Sequence, residues 1–442
     1  MNGLGRLLAP SRWWRVLAAL SLAAISFGVI AHTVPQNHEL SPLDEYVYVD
    51  YLAKVPTQFV VRQGETTGEV ARDALACRGI AVLGPGEYRC GLNTAWADGY
   101  TEDGKTTADI YTPAYFAITW VAAQPFVWAG VDLVDAGRLV GGLWLGLGTV
   151  LMFLLMTRLR VPPLLAWALG VIVIVSPGIF WANAFVSTDA PSLAAGAGIG
   201  LLALLAYQRR ASPVWLGLAV VLAIAIKFQN IIAVGLVAIV LTAIAIRDAR
   251  ARSTATNKRM LAAVARDRSL VIATVMVVVA LATQVVWMVI RSSISLNSAP
   301  DLNVEVPLSK TGLLMESFNF LRQTPLGVEQ GGETPVKTVV GMILVLLTIV
   351  GVVGMVFAGR RGSTESLVAG SVLLASTAAA PVLAIALNVA LGETLQIPPR
   401  YGLSILPAFV LCAGWLFSLK RWGPAAMAVL AVVLLVASFL SR

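Results

Sequence analysis

Ser41-Pro42-Leu43-Asp44-Glu45-Tyr46-Val47-Tyr48 sets two adjacent carboxylates a few residues beyond the first long apolar run of the chain, residues 14–31. Neighbouring acids at a membrane surface suffer desolvation and mutual repulsion, and such groups are found where general bases and cation sites are built. A plainer reading fits the same residues. Pro42 near a helix start, with acids in the first turn, describes a solvated turn that opens a loop helix. The rest of the chain has to decide between the two.

The chain has 442 residues, of which 58% are hydrophobic and 13% charged, and its mean hydropathy is +0.80. An ordinary soluble domain carries about a quarter charged residues. This composition therefore predicts an all-α polytopic membrane protein embedded in a lipid bilayer. The formal net charge of +8 does not indicate a nucleic-acid partner, because the cations sit mostly at the ends of apolar runs, where they report topology.

Runs able to cross, or nearly cross, a bilayer that needs about 20 helical residues fall at 14–31, 139–156, 164–180, 190–207, 214–226, 231–246, 270–290, 339–357, 367–391, 403–419 and 425–440, eleven in all. Arg6, Arg12 and Arg15 ahead of the stretch Val16 to Ala31 imitate a signal peptide. The run is long for one and no small-x-small cleavage site follows, so it reads as a permanent first helix with a cytoplasmic N-terminus. A further apolar segment, 115–134, decides the topology. If it lies on the outer surface, Arg158 and Arg160, Arg209 and Arg210, the basic stretch 247–268, Arg360 and Arg361, and Lys420 and Arg421 are all cytoplasmic, as the positive-inside rule asks. Pro125, Asp132 and Asp135 also suit an interfacial amphipathic helix better than a spanning one. The chain then reads as a single membrane domain, 1–442, with two extracytoplasmic loops, 32–138 and 291–337, on its working face. Both loops have the Gly, Pro, Asp and Asn content of folded loops with short helices and turns.

Three further features could carry chemistry. Asp189, in Ser187-Thr188-Asp189-Ala190-Pro191-Ser192, stands at the outer mouth of the fourth run. It reads either as a helix N-cap or as an acid facing the side of Asp44, and a helix N-terminus also collects anions. Lys227 interrupts an apolar hairpin at its outer tip, where a lysine either snorkels to the surface or serves a membrane-level function. Arg400 and Tyr401, in Pro398-Pro399-Arg400-Tyr401-Gly402, open the tenth run with a fork of donors that suits phosphate and a flat ring with a hydroxyl; the plain alternative is an interfacial anchor pair. Cys77 and Cys90 share the first loop and would pair in an oxidising compartment, the alternative being two unrelated thiols, while Cys412 reads as a small buried residue.

In this order the features resemble the GT-C class of polytopic glycosyltransferases, which includes protein O-mannosyltransferases and the aminoarabinose transferases of lipid A. The resemblance rests on Asp44 and Glu45 in LDEYVYVDYL, on Asp189 in STDAPSL, and on Arg400, Tyr401 and Pro407 in PPRYGLSILP. Tyr111-Thr112-Pro113-Ala114-Tyr115 matches a proline-rich segment late in the first loop, although it lacks the usual double proline. The likeness spans most of the chain through short motifs whose order and shared sidedness carry it.

The resemblance implies inverting transfer of one sugar from a polyprenyl-phosphate donor to an extracytoplasmic acceptor, in a bacterial plasma membrane. Asp44 would be the general base. Glu45 and Asp189 would orient the acceptor or, with Asp44, hold a divalent cation if one is used. Lys227, Arg400 and Tyr401 would bind the donor phosphate as its charge develops. A polymerase or ligase of lipid-linked glycans is the alternative within the same compartment, though such proteins place their large loop late. A lipid or solute transporter is the alternative from another class, and it would carry more charges at mid-membrane.

Overall fold

The computed structural model describes residues 12–42, 44–80, 90, 104–252, 264–297, 308–326, 335–391 and 396–440. Arg6, the middle of the first loop, parts of the second and most of the basic stretch between 252 and 264 lie outside the described residues.

Along the chain, α1 (Arg12–Thr33) leads into a loop that folds as α2 (Glu45–Gln58), α3 (Glu69–Arg78) and α4 (Ala114–Trp128). The bundle continues with α5 (Leu133–Arg158), α6 (Pro163–Ile174), α7 (Pro177–Ala184), α8 (Ser192–Tyr207), α9 (Pro213–Ile226), α10 (Ile231–Arg252) and α11 (Arg268–Ser293). The second loop adds the short α12 (Lys310–Glu316) and α13 (Asn319–Gln323), and α14 (Pro335–Ala358), α15 (Thr364–Leu391), α16 (Leu406–Ser418) and α17 (Gly423–Leu440) complete the bundle. Among the described residues no strand forms beyond the isolated bridges Leu40–Ile80 and Thr66–Lys105. The chain is an all-α, multi-pass membrane protein.

Among the described residues eight helical stretches are long and apolar enough to cross a bilayer, and a ninth does so if α6 and α7 count as one. The run 164–180 is thus not the straight crossing that its hydropathy suggests. Pro177 offers no N–H and holds Ser176 extended (ψ 143°), so α6 stops at Ile174 and α7 leaves at 64°. The runs at 190–207 and 214–226 become helices of 16 and 14 residues, too short for a full crossing by themselves.

Both loops gather at one end of the bundle, here the loop face. Arg291 at the end of α11 pairs with Asp109 at 2.6 Å, Trp287 Nε1 donates to the Ile110 carbonyl at 2.9 Å, and Leu296 N–H donates to the Gln63 carbonyl at 3.0 Å. Burial pushes the Asp109 carboxyl up from its ordinary range, partly offset by Arg291. Both ends of α4 are held at this face. Thr112, just before it, donates to the Ala225 carbonyl at the end of α9, and Asp132, just after it, pairs with Arg78 at the end of α3. The first loop has its own core, in which Tyr51 stacks on Phe116 with ring centroids 4.0 Å apart. At the opposite end, Arg268 donates to the Ala206 carbonyl and Arg247 to Thr364, so the basic clusters lie away from the acids.

Two glycines let the chain close on its loop face. A Cβ at Gly141 of α5 would overlap the Asn183 carbonyl of α7, and one at Gly196 of α8 would overlap the Ser404 carbonyl. The second contact seats the turn Pro399–Ser404, which carries Arg400 and Tyr401, directly on α8.

Candidate active site

Asp44 precedes the first turn of α2 in the left-handed region, with φ 52° and no capping hydrogen bond from its side chain. Its carboxylate turns instead toward the chain's distant half. Oδ2 accepts from Arg400 Nη2 at 3.1 Å and from the Tyr48 hydroxyl at 3.3 Å, and the side chain remains 41% exposed.

Asp189 is not the N-cap of α8, since that position falls to Pro191. The Asp189 carboxylate is buried and divided between two cations, Oδ1 meeting Lys227 Nζ and Oδ2 lying 3.4 Å from Arg400 Nε. Lys227 is 1% exposed, so it does not snorkel, and its ammonium lies 5.0 Å from the centre of the Tyr401 ring. Asp44, Arg400, Asp189 and Lys227 therefore form one alternating row of charges, closed below by Tyr401. Residues from α2, the α7–α8 connection, the α9–α10 tip and the approach to α16 meet here, although up to 356 positions separate them.

Glu45 lies outside this row, which corrects the expectation that it would face acceptor or cation beside Asp44. Its side chain is fully buried, and Oε1 and Oε2 accept from Arg138 Nε and Nη2, both at 2.8 Å. The same two oxygens accept from Val186 N–H at 2.9 Å and Ser41 N–H at 2.7 Å. Arg138 in turn donates to the carbonyls of Asn37 and Glu39 and covers the Phe185 ring. This clasp joins the segment before Asp44 to the segment before Asp189. Consecutive residues at a helix start project about 100° apart, so one acid faces the cleft while its neighbour faces the core.

The sequence reading missed Arg138 and Tyr48. The signal for Arg138 was present, an arginine at the mouth of an apolar helix, where a cation needs a partner. Tyr48 lies one helical turn after Asp44, a spacing that places side chains on one face. Its hydroxyl is 3.1 Å from that of Tyr111 and 3.4 Å from Thr188 Oγ1. Burial raises both tyrosine hydroxyls well above their ordinary range, aided for Tyr48 by the Asp44 charge, so both are protonated donors at neutral pH.

A divalent cation such as Ca²⁺ or Mg²⁺ takes about six or more oxygens. Among the described residues no three His, Cys, Asp or Glu side chains gather, and Asp44, Glu45 and Asp189 are each paired with a cation of the chain. The donor set does not fit a resident metal. Cys77 and Cys90 form a disulfide at the end of α3, and Cys412 is buried in α16.

Toward the opposite end from the charged row an apolar groove runs between α5, α8, α10, α15 and α16. It begins at Ser404, four residues after Arg400, and reaches Tyr207 and Thr364 toward the opposite end of the bundle.

No protein-family description matches this sequence, and no curated protein matches it. Solved structures do match its fold. The Archaeoglobus fulgidus oligosaccharyltransferase in its apo form aligns with 97% of this chain and 56% of its own, at 12% identity and a TM-score of 0.51. The same organism's oligosaccharyltransferase AglB, in complex with an inhibitory peptide and a dolichol-phosphate, aligns with 97% of this chain and 55% of its own, at 14% identity and a TM-score of 0.50. ArnT from Cupriavidus metallidurans bound to undecaprenyl phosphate aligns with 97% of this chain and 64% of its own, at 17% identity and a TM-score of 0.47. The chain thus spans little more than half the length of the oligosaccharyltransferase, and over nearly all of its own length it has a GT-C-like membrane fold.

Proposed function

We propose that this chain is a GT-C-type membrane glycosyltransferase that moves one sugar from a polyprenyl-phosphate donor to an extracytoplasmic acceptor in the cell envelope. The observation that carries the reading is the row Asp44–Arg400–Asp189–Lys227 at the loop face, on the same elements whose continuations at Gly196, Ala233 and Ser404 line an apolar groove. An amphiphile with an anionic head and an isoprenoid tail matches both halves of that arrangement. The shared fold of an oligosaccharyltransferase solved with a dolichol-phosphate supports the same donor class.

The chemistry follows from the residues. Asp44, partly exposed, takes the proton of an acceptor hydroxyl, and the freed oxygen lone pair attacks the anomeric carbon. The bond from that carbon to the donor phosphate breaks on the opposite face, its electrons pass to the phosphate oxygen, and the configuration inverts. Arg400 and Lys227 lie where that negative charge grows. Asp189 holds both cations in place, and the Glu45–Arg138 clasp sets the two acid-bearing segments against each other. No soluble nucleotide-sugar domain is required, because the donor arrives in the membrane.

The test is transfer by membranes carrying the protein, supplied with a panel of radiolabelled polyprenyl-phosphate pentoses and hexoses. Wild-type membranes are expected to label an envelope acceptor from at least one donor. Asp44→Asn, which keeps shape and removes the basic oxygen, should slow transfer by about 10² to 10⁴. Transfer at the wild-type rate by folded Asp44→Asn protein would remove Asp44 from the role of base.

A further inference from the structure

We infer that Tyr48 is the positioning residue of the base: its hydroxyl shares Oδ2 of Asp44 with Arg400 and so leaves Oδ1 to receive the acceptor's proton. This rests on the reading of Asp44 as the base and adds which oxygen acts and what holds it.

The carboxylate is bound asymmetrically. Both donors, Tyr48 Oη at 3.3 Å and Arg400 Nη2 at 3.1 Å, go to Oδ2. Among the described residues Oδ1 accepts no hydrogen bond, on a side chain that is 41% exposed. Two donors on one oxygen fix the plane of a carboxylate that would otherwise rotate about χ2, a broad torsion for aspartate. The oxygen left over faces a fixed direction.

Tyr48 is itself fixed. Its ring is 2% exposed, edge-on to Tyr111 with centroids 5.6 Å apart and tilted against Phe116 at 6.0 Å. Its hydroxyl has one proton and two lone pairs. The carboxylate is the one neighbour that can only accept, so the proton belongs to Asp44. The oxygen of Tyr48 then accepts from Thr188 Oγ1, 3.4 Å away, and the Tyr111 hydroxyl, 3.1 Å away, is the second acceptor within reach of the same proton. Thr188 adjoins Asp189, so the hydroxyl row also ties the base to the segment that holds the second acid.

The contribution of Tyr48 is therefore geometric, and it acts through Asp44. Tyr48→Phe keeps the ring packing and deletes only the hydroxyl. With a donor that the wild type turns over, kcat is expected to fall by about tenfold to a hundredfold, the worth of one hydrogen bond to a charged group. The donor KM should stay within about twofold, since the cations beside the phosphate are untouched. Undecaprenyl phosphate should raise the melting temperature of Tyr48→Phe and of the wild type alike.

A double-mutant cycle separates positioning from mere packing. Asp44→Asn combined with Tyr48→Phe should be no slower than Asp44→Asn alone, because a hydroxyl that acts only through the base has nothing left to do. Full multiplicative loss in the double variant would overturn the inference, as would a wild-type kcat for Tyr48→Phe beside an inactive Asp44→Asn. An active Asp44→Asn would instead overturn the base assignment itself, so the two failures are distinguishable. Should Tyr48→Phe fail to fold, Thr188→Val, which removes the donor to the Tyr48 oxygen, takes its place: a fall in kcat that vanishes in the Asp44→Asn background supports the inference, and an unchanged kcat overturns it.

Discussion

Asp44 holds a left-handed backbone conformation that costs a non-glycine residue about 1–2 kcal/mol, and such strain persists where the surroundings over-determine a functional position. Here the surroundings are Arg400 and Tyr48, which draw the carboxylate off the helix end that it would ordinarily cap. Its neighbour Glu45 shows the limit of reading adjacent acids from sequence. Residue type and spacing were legible, but which acid meets the cleft depends on the phase of α2 against Arg138, 93 positions away. Arg138→Met leaves Glu45 buried without its charge partner and should destabilise the protein by about 3–5 kcal/mol. Thermal unfolding of the detergent-solubilised variant measures this, and adding Glu45→Gln should recover part of the loss. A wild-type melting temperature for Arg138→Met would show that the clasp does not hold the fold. Lys227→Gln keeps a polar side chain, one atom shorter, while removing the charge assigned to the donor phosphate, so donor KM should rise at least as much as kcat falls. A pure kcat effect would move Lys227 from donor binding to the reacting centre.

The elements that reach the charged row are the short ones. α8 and α9, at 16 and 14 residues, rise about 24 and 21 Å, against a hydrocarbon core of about 30 Å. Their loop-face ends adjoin the buried pair Asp189 and Lys227. Hydropathy located both helices, but it could not show that their ends bring Asp189 and Lys227 into one buried pair, since the 38 positions between them are closed only by the fold. The break at Ser176–Pro177 was equally present as a proline, hidden among the β-branched residues that filled the run. In the first loop, the Cys77–Cys90 disulfide staples the end of α3, whose Arg78 bonds Asp132 and Asp135 at the start of α5. Thiol labelling under denaturing, non-reducing conditions should tag Cys412 alone. Cys77→Ser should lower stability by about 3 kcal/mol on a chain-entropy basis for a loop of this length, and labelling of all three cysteines would mean that the bond does not form in the cell.

Among the described residues most acids gather at one end, most of them paired with a cation there, while the excess of arginine lies at the other. Asp44, Asp189 and the pairs of the first loop share one end with Arg400 and Lys227, while Arg247 and Arg268 bond groups at the other. Arginine and lysine flanks orient a multi-pass chain with its basic end in the cytoplasm. The path of α4 decides whether every later helix obeys that rule. Both of its flanks are tied to the loop face, through Thr112 to Ala225 and through Asp132 to Arg78. Val121 and Trp128 remain 64% and 80% exposed, as an apolar helix lying along a bilayer surface would leave them. We propose that this helix of 15 residues, with both flanks tied to one face, adds no crossing. A reporter fused after Val134 should therefore read extracytoplasmic, and one fused after Arg160, beyond α5, cytoplasmic. If the first reporter instead read cytoplasmic, α4 would cross, the basic flanks would face outward, and Asp44 and Asp189 could not sit on one side of the membrane. Their shared contact with Arg400 requires that they do, so the fusion after Val134 tests the site and the topology together.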